Sequence, residues 1–170
     1  PVRGVPGYHP DVVVYEVKDA SGRHVGLWYF DPWARPGKRS GAWMSSYRGQ
    51  HKLTGSIRPI VVNVMSVARG APGTPTLLSP DDVRTLFHEF GHGLHGLLSN
   101  VGYRRLSGTQ VLRDFVELPS QLFEHWMREP AVLRRHARHA VTGEPIAEAM
   151  IARLAAAQRF GQGFETVRYV

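Results

Sequence analysis

The stretch "TLFHEFGHGLHG", residues 85–96, places three histidines and one glutamate within twelve positions. Just before it, Ser79 can cap a helix, Pro80 suits the first helical position, and two aspartates follow in the first turn. Apolar residues then recur at helical spacing, at Val83, Leu86, Phe87, Phe90, Leu94 and Leu97. We therefore predict one helix from 80 to 98, around which the rest of the fold is organised.

His88 and His92 lie four positions apart, and residues at this spacing share one face of a helix. Their ring nitrogens can converge on one point, and Glu89 stands within reach of a water bound there. This is the HExxH arrangement, in which two neutral imidazoles bind Zn²⁺ and the carboxylate accepts a proton from the metal's water. A chance match is the alternative, since HExxH fixes only three positions. Gly91 and Gly93 favour the metal site, because each costs about 1 kcal/mol relative to alanine in a helix and so indicates a close approach to the backbone.

A catalytic zinc site takes three protein ligands and leaves one position for water. Because the chain has no cysteine, the third ligand must be His, Asp or Glu. The segment "LRDFVELPSQLFEHW", residues 112–126, offers Glu117 first, since a carboxylate with apolar neighbours needs a partner if it is buried. Glu124 is the second candidate, and Asp114 or His125 the third. Glu117 also stands at capping-box spacing from Asp114, so a structural role at a helix start is the alternative.

Further residues are expected to orient the ligands, because ligating imidazoles and carboxylates usually have hydrogen-bond partners of their own. Asp114, Gln121 and Glu124 are the candidates in the same segment, 112–126. His95 follows His92 by three positions, and as a third ligand it would force three donors onto one helix. That geometry is strained for a tetrahedral ion, so we expect His95 to orient a ligand or to pack.

The rest of the sequence predicts an α+β fold, with strands in the first half and helices in the second. Four segments rich in Val, Tyr and Trp, with a Ser21-Gly22 turn after the first, predict strands at 12–19, 24–31, 42–49 and 58–67. Three further helices are predicted at 115–128, 130–141 and 145–160. We expect a small, mostly antiparallel sheet within residues 1–78, then a helical bundle carrying HExxH within residues 79–170.

The composition excludes several classes of protein. No run of apolar residues is long enough to cross a membrane, and the absence of cysteine excludes disulfides and is compatible with the cytoplasm. The formal net charge of +7 raises nucleic acid as a partner, but the basic residues are spread along the whole chain. The densest cluster, "LRRHARH" at 133–139, is better explained as a solvated helix face. We therefore expect neither a membrane nor nucleic acid as a partner.

Together these motifs resemble the thimet oligopeptidase family of zinc peptidases. The resemblance is carried by "TLFHEFGHGLHGLLS" (85–99), "LSGT" (106–109) and "RDFVELPSQLFEHW" (113–126). The segments at 26–44 and 58–64 look like the strands that precede the zinc helix in this family. Within the family the chain looks most like the bacterial peptidyl-dipeptidases, with the oligopeptidase A group as near neighbour.

The resemblance implies a zincin-like fold with one Zn²⁺ per chain, held by His88, His92 and Glu117, and Glu89 as the general base. It also implies intracellular cleavage of short peptides. Family members are several times longer, and nothing here matches their "GGxxAGYY"-like segment, whose side chains stabilise the tetrahedral intermediate. We therefore expect the chain to be a single catalytic-core segment of a larger metallopeptidase, binding zinc and cleaving peptides weakly or not at all alone.

Two segments are candidates for contact with a substrate. "GAWM", 41–44, can form an edge strand that pairs with an extended peptide, with Ala42 supplying backbone and Trp43 or Met44 facing a subsite. In the alternative, Ala42 and Met44 face the core and Trp43 covers it. Tyr103 and the loop containing Gly108 can border the cleft or simply connect two helices.

Two further functions compete with hydrolysis. A non-catalytic module that binds zinc or a peptide would keep the ligands without the chemistry, but it has no need for Glu89. A nucleic-acid-binding protein should show a recognition helix or stacked aromatic platform, which this pattern lacks. The sequence leaves the oligomeric state open.

Overall fold

A four-stranded sheet forms the first part of the computed structural model, which describes residues 1–157 and 160–169. Its strands are β1 (Val13–Lys18), β2 (His24–Trp33), β3 (Trp43–Arg48) and β4 (Ile60–Val67). Their order across the sheet is β1-β2-β4-β3, which leaves β1 and β3 at the edges. All four predicted strands are therefore present, with ends within two residues of the prediction.

The sheet is mixed rather than purely antiparallel. β1 pairs with β2 and β3 pairs with β4 in antiparallel fashion, as the predicted hairpin requires, but β2 and β4 are parallel. Parallel pairing fits the sequence of β4, because a strand covered on both faces reads as a nearly continuous apolar run. Val61, Val62, Val64, Met65 and Val67 are all buried. Two of the three pairings agree with the predicted, mostly antiparallel sheet. The sequence did not identify the parallel pair, because periodicity reports which residues are buried and not which strands are neighbours.

Within residues 1–157 and 160–169, five helices follow the sheet: α1 (Pro80–Leu97), α2 (Leu118–Arg128), α3 (Pro130–His136), α4 (Glu148–Ala157) and α5 (Gln162–Tyr169). A short 3₁₀ turn lies at Arg104–Leu106. Ser79 caps α1 through a reciprocal pair of hydrogen bonds with Asp82, as its position before the helix predicted. Among the described residues, no helix is both long and apolar enough to cross a membrane.

Three helices have bounds that differ from the prediction by three or more residues. α2 begins at Leu118 rather than at 115, because the preceding residues form a turn in which two amides bond to the carbonyl of Leu112. α3 ends at His136 rather than at 141, since a tight turn follows it in which the His139 amide bonds to the carbonyl of Glu144. α4 covers 148–157 of the predicted 145–160, and residues 158 and 159 lie outside the described residues. α5 was not predicted.

The chain forms two compact units, Pro1–Glu124 and His125–Val170. The first unit contains the sheet, α1 and the start of α2. In the second unit, the Arg134 guanidinium on α3 donates hydrogen bonds of 2.6 and 3.0 Å to the two carboxylate oxygens of Glu148 on α4.

α1 lies directly on the sheet because its glycines remove side chains from the contact. A Cβ at Gly93 would lie 2.6 Å from Oδ1 of Asn63 on β4. Asn63 is fully buried, its Oδ1 accepts a 2.7 Å hydrogen bond from the indole of Trp28, and its amide donates to the carbonyl of Glu89 at 2.5 Å. Through Asn63, β4 thus holds the backbone of α1 at the middle of the HExxH turn.

Replacing Gly93 with alanine should destabilise the protein. The Asn63 amide is held at both ends and cannot move aside, so overpacking of about 1–3 kcal/mol should exceed the gain of roughly 1 kcal/mol in helix propensity. Urea unfolding measures the change. As the control, the same substitution in an Asn63→Ala background should cost less, because the clashing atom is gone; an equal cost in both backgrounds would show that Asn63 is not the obstacle.

The opposite face of the sheet contains a buried carboxylate, Asp31, which is 1% exposed. Arg35 donates to both of its oxygens at 2.6 and 2.9 Å, Lys38 donates to one at 3.0 Å, and the Tyr8 hydroxyl donates to the other at 2.7 Å. Burial alone would raise the pKa of Asp31, but these hydrogen bonds outweigh it and hold the pKa well below its usual range. The network ties the loop after β2 and the N-terminal segment to the sheet.

Replacing Asp31 with asparagine should cost about 3–5 kcal/mol of stability at neutral pH, because it leaves two cations without their buried counter-charge. Since the folded pKa is depressed, the wild-type advantage is complete above the unfolded pKa of about 4 and declines as the pH falls below it. Urea unfolding at several pH values tests this. The control, Asp11→Asn, breaks a half-exposed pair with Arg69 and should cost no more than about 1 kcal/mol. A wild-type advantage that did not change with pH would contradict the account.

Candidate metal centre

Three side chains, two on α1 and one in the turn before α2, bring their donor atoms together. One ligand atom from each of His88, His92 and Glu117 lies within 4.8 Å of the other two. Oε2 of Glu117 is 3.2 Å from Nε2 of His88 and 3.1 Å from Nε2 of His92. The two imidazole rings are nearly perpendicular, with centroids 4.9 Å apart.

This donor set fits a tetrahedral ion. Bonds of about 2.0–2.1 Å to zinc at the tetrahedral angle place neighbouring ligand atoms roughly 3.3 Å apart. The two measured distances from Glu117 Oε2 are close to that value, and all three donors come from residue types that zinc prefers. Two imidazoles and one carboxylate also leave a fourth position free, as in catalytic rather than structural sites.

The position of Glu117 depends on how closely α2 approaches α1. Glu117 directly precedes α2, after the turn that starts at Leu112. A Cβ at Gly91 would lie 2.6 Å from the Cα of Ser120 and 2.7 Å from the carbonyl oxygen of Pro119. Because Gly91 lies between His88 and His92 in the chain, the contact that requires glycine also brings the start of α2 to the two imidazoles.

The His88 ring is oriented from its other nitrogen. Its Nδ1 lies 2.6 Å from Oε1 of Glu124, one of the residues proposed from the sequence to orient a ligand. An ionised carboxylate at this distance accepts the Nδ1 proton, which leaves the Nε2 lone pair directed towards Glu117. For His92, burial lowers the pKa, which favours the neutral imidazole that can bind a metal. Its Nδ1 is buried and has no hydrogen-bond partner among the described residues.

Glu89 lies on the buried side of the helix and is 8% exposed. Burial raises the pKa of its carboxyl group, the charge of Glu117 raises it further, and His88 acts in the opposite direction. Glu117 behaves differently, since its side chain is 48% exposed. Burial would raise the pKa of Glu117, but a hydrogen bond from Ser120 and the two imidazoles outweigh it and lower the pKa. The pKa values of the two carboxyl groups are thus shifted in opposite directions, as is common in functional sites.

Other residues predicted for the site lie outside the donor cluster. Asp114 and Gln121 are exposed, and His125 is exposed and belongs to the second unit. His95 packs against Phe115, with ring centroids 6.2 Å apart, and burial lowers its pKa. In the structure, His95 therefore makes a packing contact. Of the residues expected to orient a ligand, Glu124 contacts one of the two clustered histidines, His88.

The substrate candidates lie around β3 and the loop after α1. β3 is an edge strand, and Ala42 directly precedes it. Met44 faces α1. Trp43 lies on the opposite face of the sheet, where Cζ of Arg39 is 4.5 Å from the centroid of its ring. Tyr103 is 62% exposed. Gly108 has φ +57°, and a Cβ there would lie 3.0 Å from the Cα of Gly96.

Sequence reasoning did not identify Asn63 and Ser120. Asn63 supports the Glu89 carbonyl, and the Ser120 hydroxyl donates a 2.7 Å hydrogen bond to Oε2 of Glu117. The two helix-weakening glycines were the available signal, since each marks one of these contacts: Gly93 touches Asn63 and Gly91 touches Ser120. A glycine in the sequence indicates that some group approaches the helix closely, but it does not indicate which residue that group belongs to.

The comparisons with known proteins identify the family of the chain. The family model described as peptidase family M3 matches residues 1–170, so the chain belongs to that family, which includes the thimet oligopeptidases. The chain is 45% identical over 161 residues to dipeptidyl carboxypeptidase from Salmonella typhimurium, covering 95% of this chain and 24% of that protein. It is 40% identical over 161 residues to oligopeptidase A from Escherichia coli, covering 93% and 24%. The chain therefore spans about a quarter of the length of these relatives.

Replacing Glu117 with alanine should weaken binding of Zn²⁺ by more than the roughly 100-fold loss that removal of an outer hydrogen-bond partner can cause, because one of three donors is lost. Competition with a chromogenic chelator measures the dissociation constant. Asp114→Ala is the matched control, since it removes an exposed carboxylate outside the cluster and should change nothing. Equal zinc affinity in wild type and Glu117→Ala would remove Glu117 from the site.

Proposed function

We propose that this chain carries the metal-binding and proton-transferring part of a zinc-dependent peptidase that acts on short peptides. The observation that carries the proposal is the convergence of His88, His92 and Glu117 beside a buried Glu89. Membership of peptidase family M3 and the names of its relatives support a peptidase. A module that only binds zinc would gain nothing from a buried carboxylate next to a ligand, which costs desolvation energy.

The donors favour Zn²⁺, one per chain, over harder cations. Magnesium and calcium prefer oxygen ligands only, whereas two imidazoles with one carboxylate form a common catalytic zinc set. In this proposal His88 and His92 bind through Nε2 and Glu117 through Oε2. Glu124 holds the His88 ring from Nδ1, at 2.6 Å.

When bound, zinc would supply the Lewis acidity that polarises a water molecule and the scissile carbonyl. Glu89 would accept one proton of the attacking water as the water oxygen bonds to the scissile carbonyl carbon. It would then deliver that proton to the leaving amine as the C–N bond breaks, so no covalent bond to the protein is needed. The raised pKa of Glu89 suits this exchange, because it makes the carboxylate a stronger base towards the water proton than an unperturbed carboxylate. Asn63 holds the Glu89 backbone while the proton moves.

The proposed substrate is a short peptide in an extended conformation. An edge strand offers unpaired backbone groups to such a peptide, and β3 is the edge strand that contacts α1, through Met44. Trp43 lies on the face away from the metal helix, so a contact to substrate would have to come from the backbone near Ala42 rather than from the indole. The cytoplasm remains the predicted compartment.

The chain alone should be a weak catalyst. Donors that stabilise the oxyanion are worth about 3–4 kcal/mol, or roughly 10²–10³ in kcat, and in this proposal some of them come from outside these 170 residues. The relatives are about four times longer than the segment matched, which leaves room for such groups.

Replacing Glu89 with glutamine tests the proposal. The amide cannot accept a proton, so zinc should still bind with similar affinity while cleavage of a quenched fluorescent peptide falls by about 10²–10⁴. The control is Glu144→Gln, which alters an exposed carboxylate in the second unit and should leave the rate unchanged. A wild-type chain that binds no zinc contradicts the proposal, and so does a Glu89→Gln chain that matches a measurable wild-type rate of cleavage.

A further inference from the structure

Ser120 is the only fully buried hydroxyl-bearing residue in the first turn of α2. Its Oγ lies 2.7 Å from Oε2 of Glu117 and 2.9 Å from the Glu117 carbonyl oxygen. A serine hydroxyl has one proton to donate. The carboxylate oxygen is both closer and charged, and charge-assisted hydrogen bonds are the stronger ones. The Ser120 hydroxyl therefore donates its hydrogen bond to Oε2.

The oxygen that Ser120 binds is the same oxygen that faces both imidazoles, at 3.2 Å from His88 and 3.1 Å from His92. The Glu117 side chain is 48% exposed, so without a partner it can turn towards water at little cost. A hydrogen bond to Oε2 opposes that rotation. The hydroxyl therefore acts on the direction of a ligand atom, not on general packing.

The position of Ser120 is itself determined by α1. A Cβ at Gly91 would lie 2.6 Å from the Ser120 Cα, so the two backbones touch between the two histidines. The contact uses the serine backbone and leaves Oγ free to reach Glu117. Loss of Oγ alone would therefore keep the helix contact and remove only the hydrogen bond.

We propose that Ser120 is a positioning residue of the metal centre: its hydroxyl holds Oε2 of Glu117 towards His88 and His92, so zinc affinity depends on a side chain that is not a ligand. The inference rests on the proposed zinc site. It adds a serine to the residues that orient the ligands, beside Glu124, which acts on His88.

The test is a double-mutant cycle on zinc affinity, measured by chelator competition with the purified chain. Ser120→Ala should raise the zinc dissociation constant 10- to 100-fold, the usual effect of losing an outer hydrogen-bond partner. In a Glu117→Ala background the same change should have less than a threefold effect, because the atom that Ser120 orients is absent. Visible absorption of the Co²⁺-loaded chain should change in Ser120→Ala, since the ligand field reports the direction of the carboxylate.

Ser99→Ala is the matched control. Its hydroxyl donates to the His95 carbonyl at 3.0 Å and accepts from the Gly108 amide at 2.6 Å, so a comparable loss occurs beside α1 without touching Glu117. Zinc affinity should stay within threefold of wild type. Thermal unfolding of the metal-free chains checks that each variant folds.

Each outcome decides between the possibilities. A zinc dissociation constant for Ser120→Ala within threefold of wild type overturns the inference, and so does an equal loss in wild-type and Glu117→Ala backgrounds, since both show that the hydroxyl does not act through Glu117. Failure of the unaltered chain to bind zinc overturns the proposed function, and this inference with it.

Discussion

The close approach of α1 to its neighbours on two sides is the constraint on which the rest of the structure depends. On one side Gly93 admits the Asn63 amide of the central strand, and on the other Gly91 admits the backbone of Ser120 at the start of α2. Glycine weakens a helix, and two glycines in three positions are tolerated because tertiary contacts replace what propensity loses. The same two contacts place the HExxH turn between a rigid sheet and the segment that carries Glu117.

This arrangement separates the electrostatic environments of two carboxyl groups that are close in space. Glu89 faces the buried side, where desolvation raises its pKa, whereas Glu117 is half-exposed and surrounded by donors that lower its pKa. A ligand should stay ionised and a proton carrier should lie nearer neutrality, so each group receives the environment that its proposed role needs. The difference comes from backbone placement, because both residues have the same side chain.

Local signals in the sequence were sufficient to predict α1, the placement of His88 and His92 on one face of it, and the four strands. Caps, spacing and β-rich composition each act within a few residues. Glu117 could only be ranked above Glu124, because its approach to the imidazoles depends on a turn and a helix crossing. Long-range features escaped altogether: the parallel pairing of β2 with β4, and the contacts made by Asn63 and Ser120. These depend on which distant segment fills the space left by a glycine, and periodicity does not encode that choice.

Anomalous scattering at the zinc absorption edge, from crystals of the chain grown with Zn²⁺, tests the central claim most directly. The account predicts one ion per chain, bonded at about 2.0–2.2 Å to Nε2 of His88, Nε2 of His92 and a carboxylate oxygen of Glu117, with Glu89 beside it but not bonded. An ion bound elsewhere, or an ion held by the two histidines with Glu117 turned away to solvent, would contradict it.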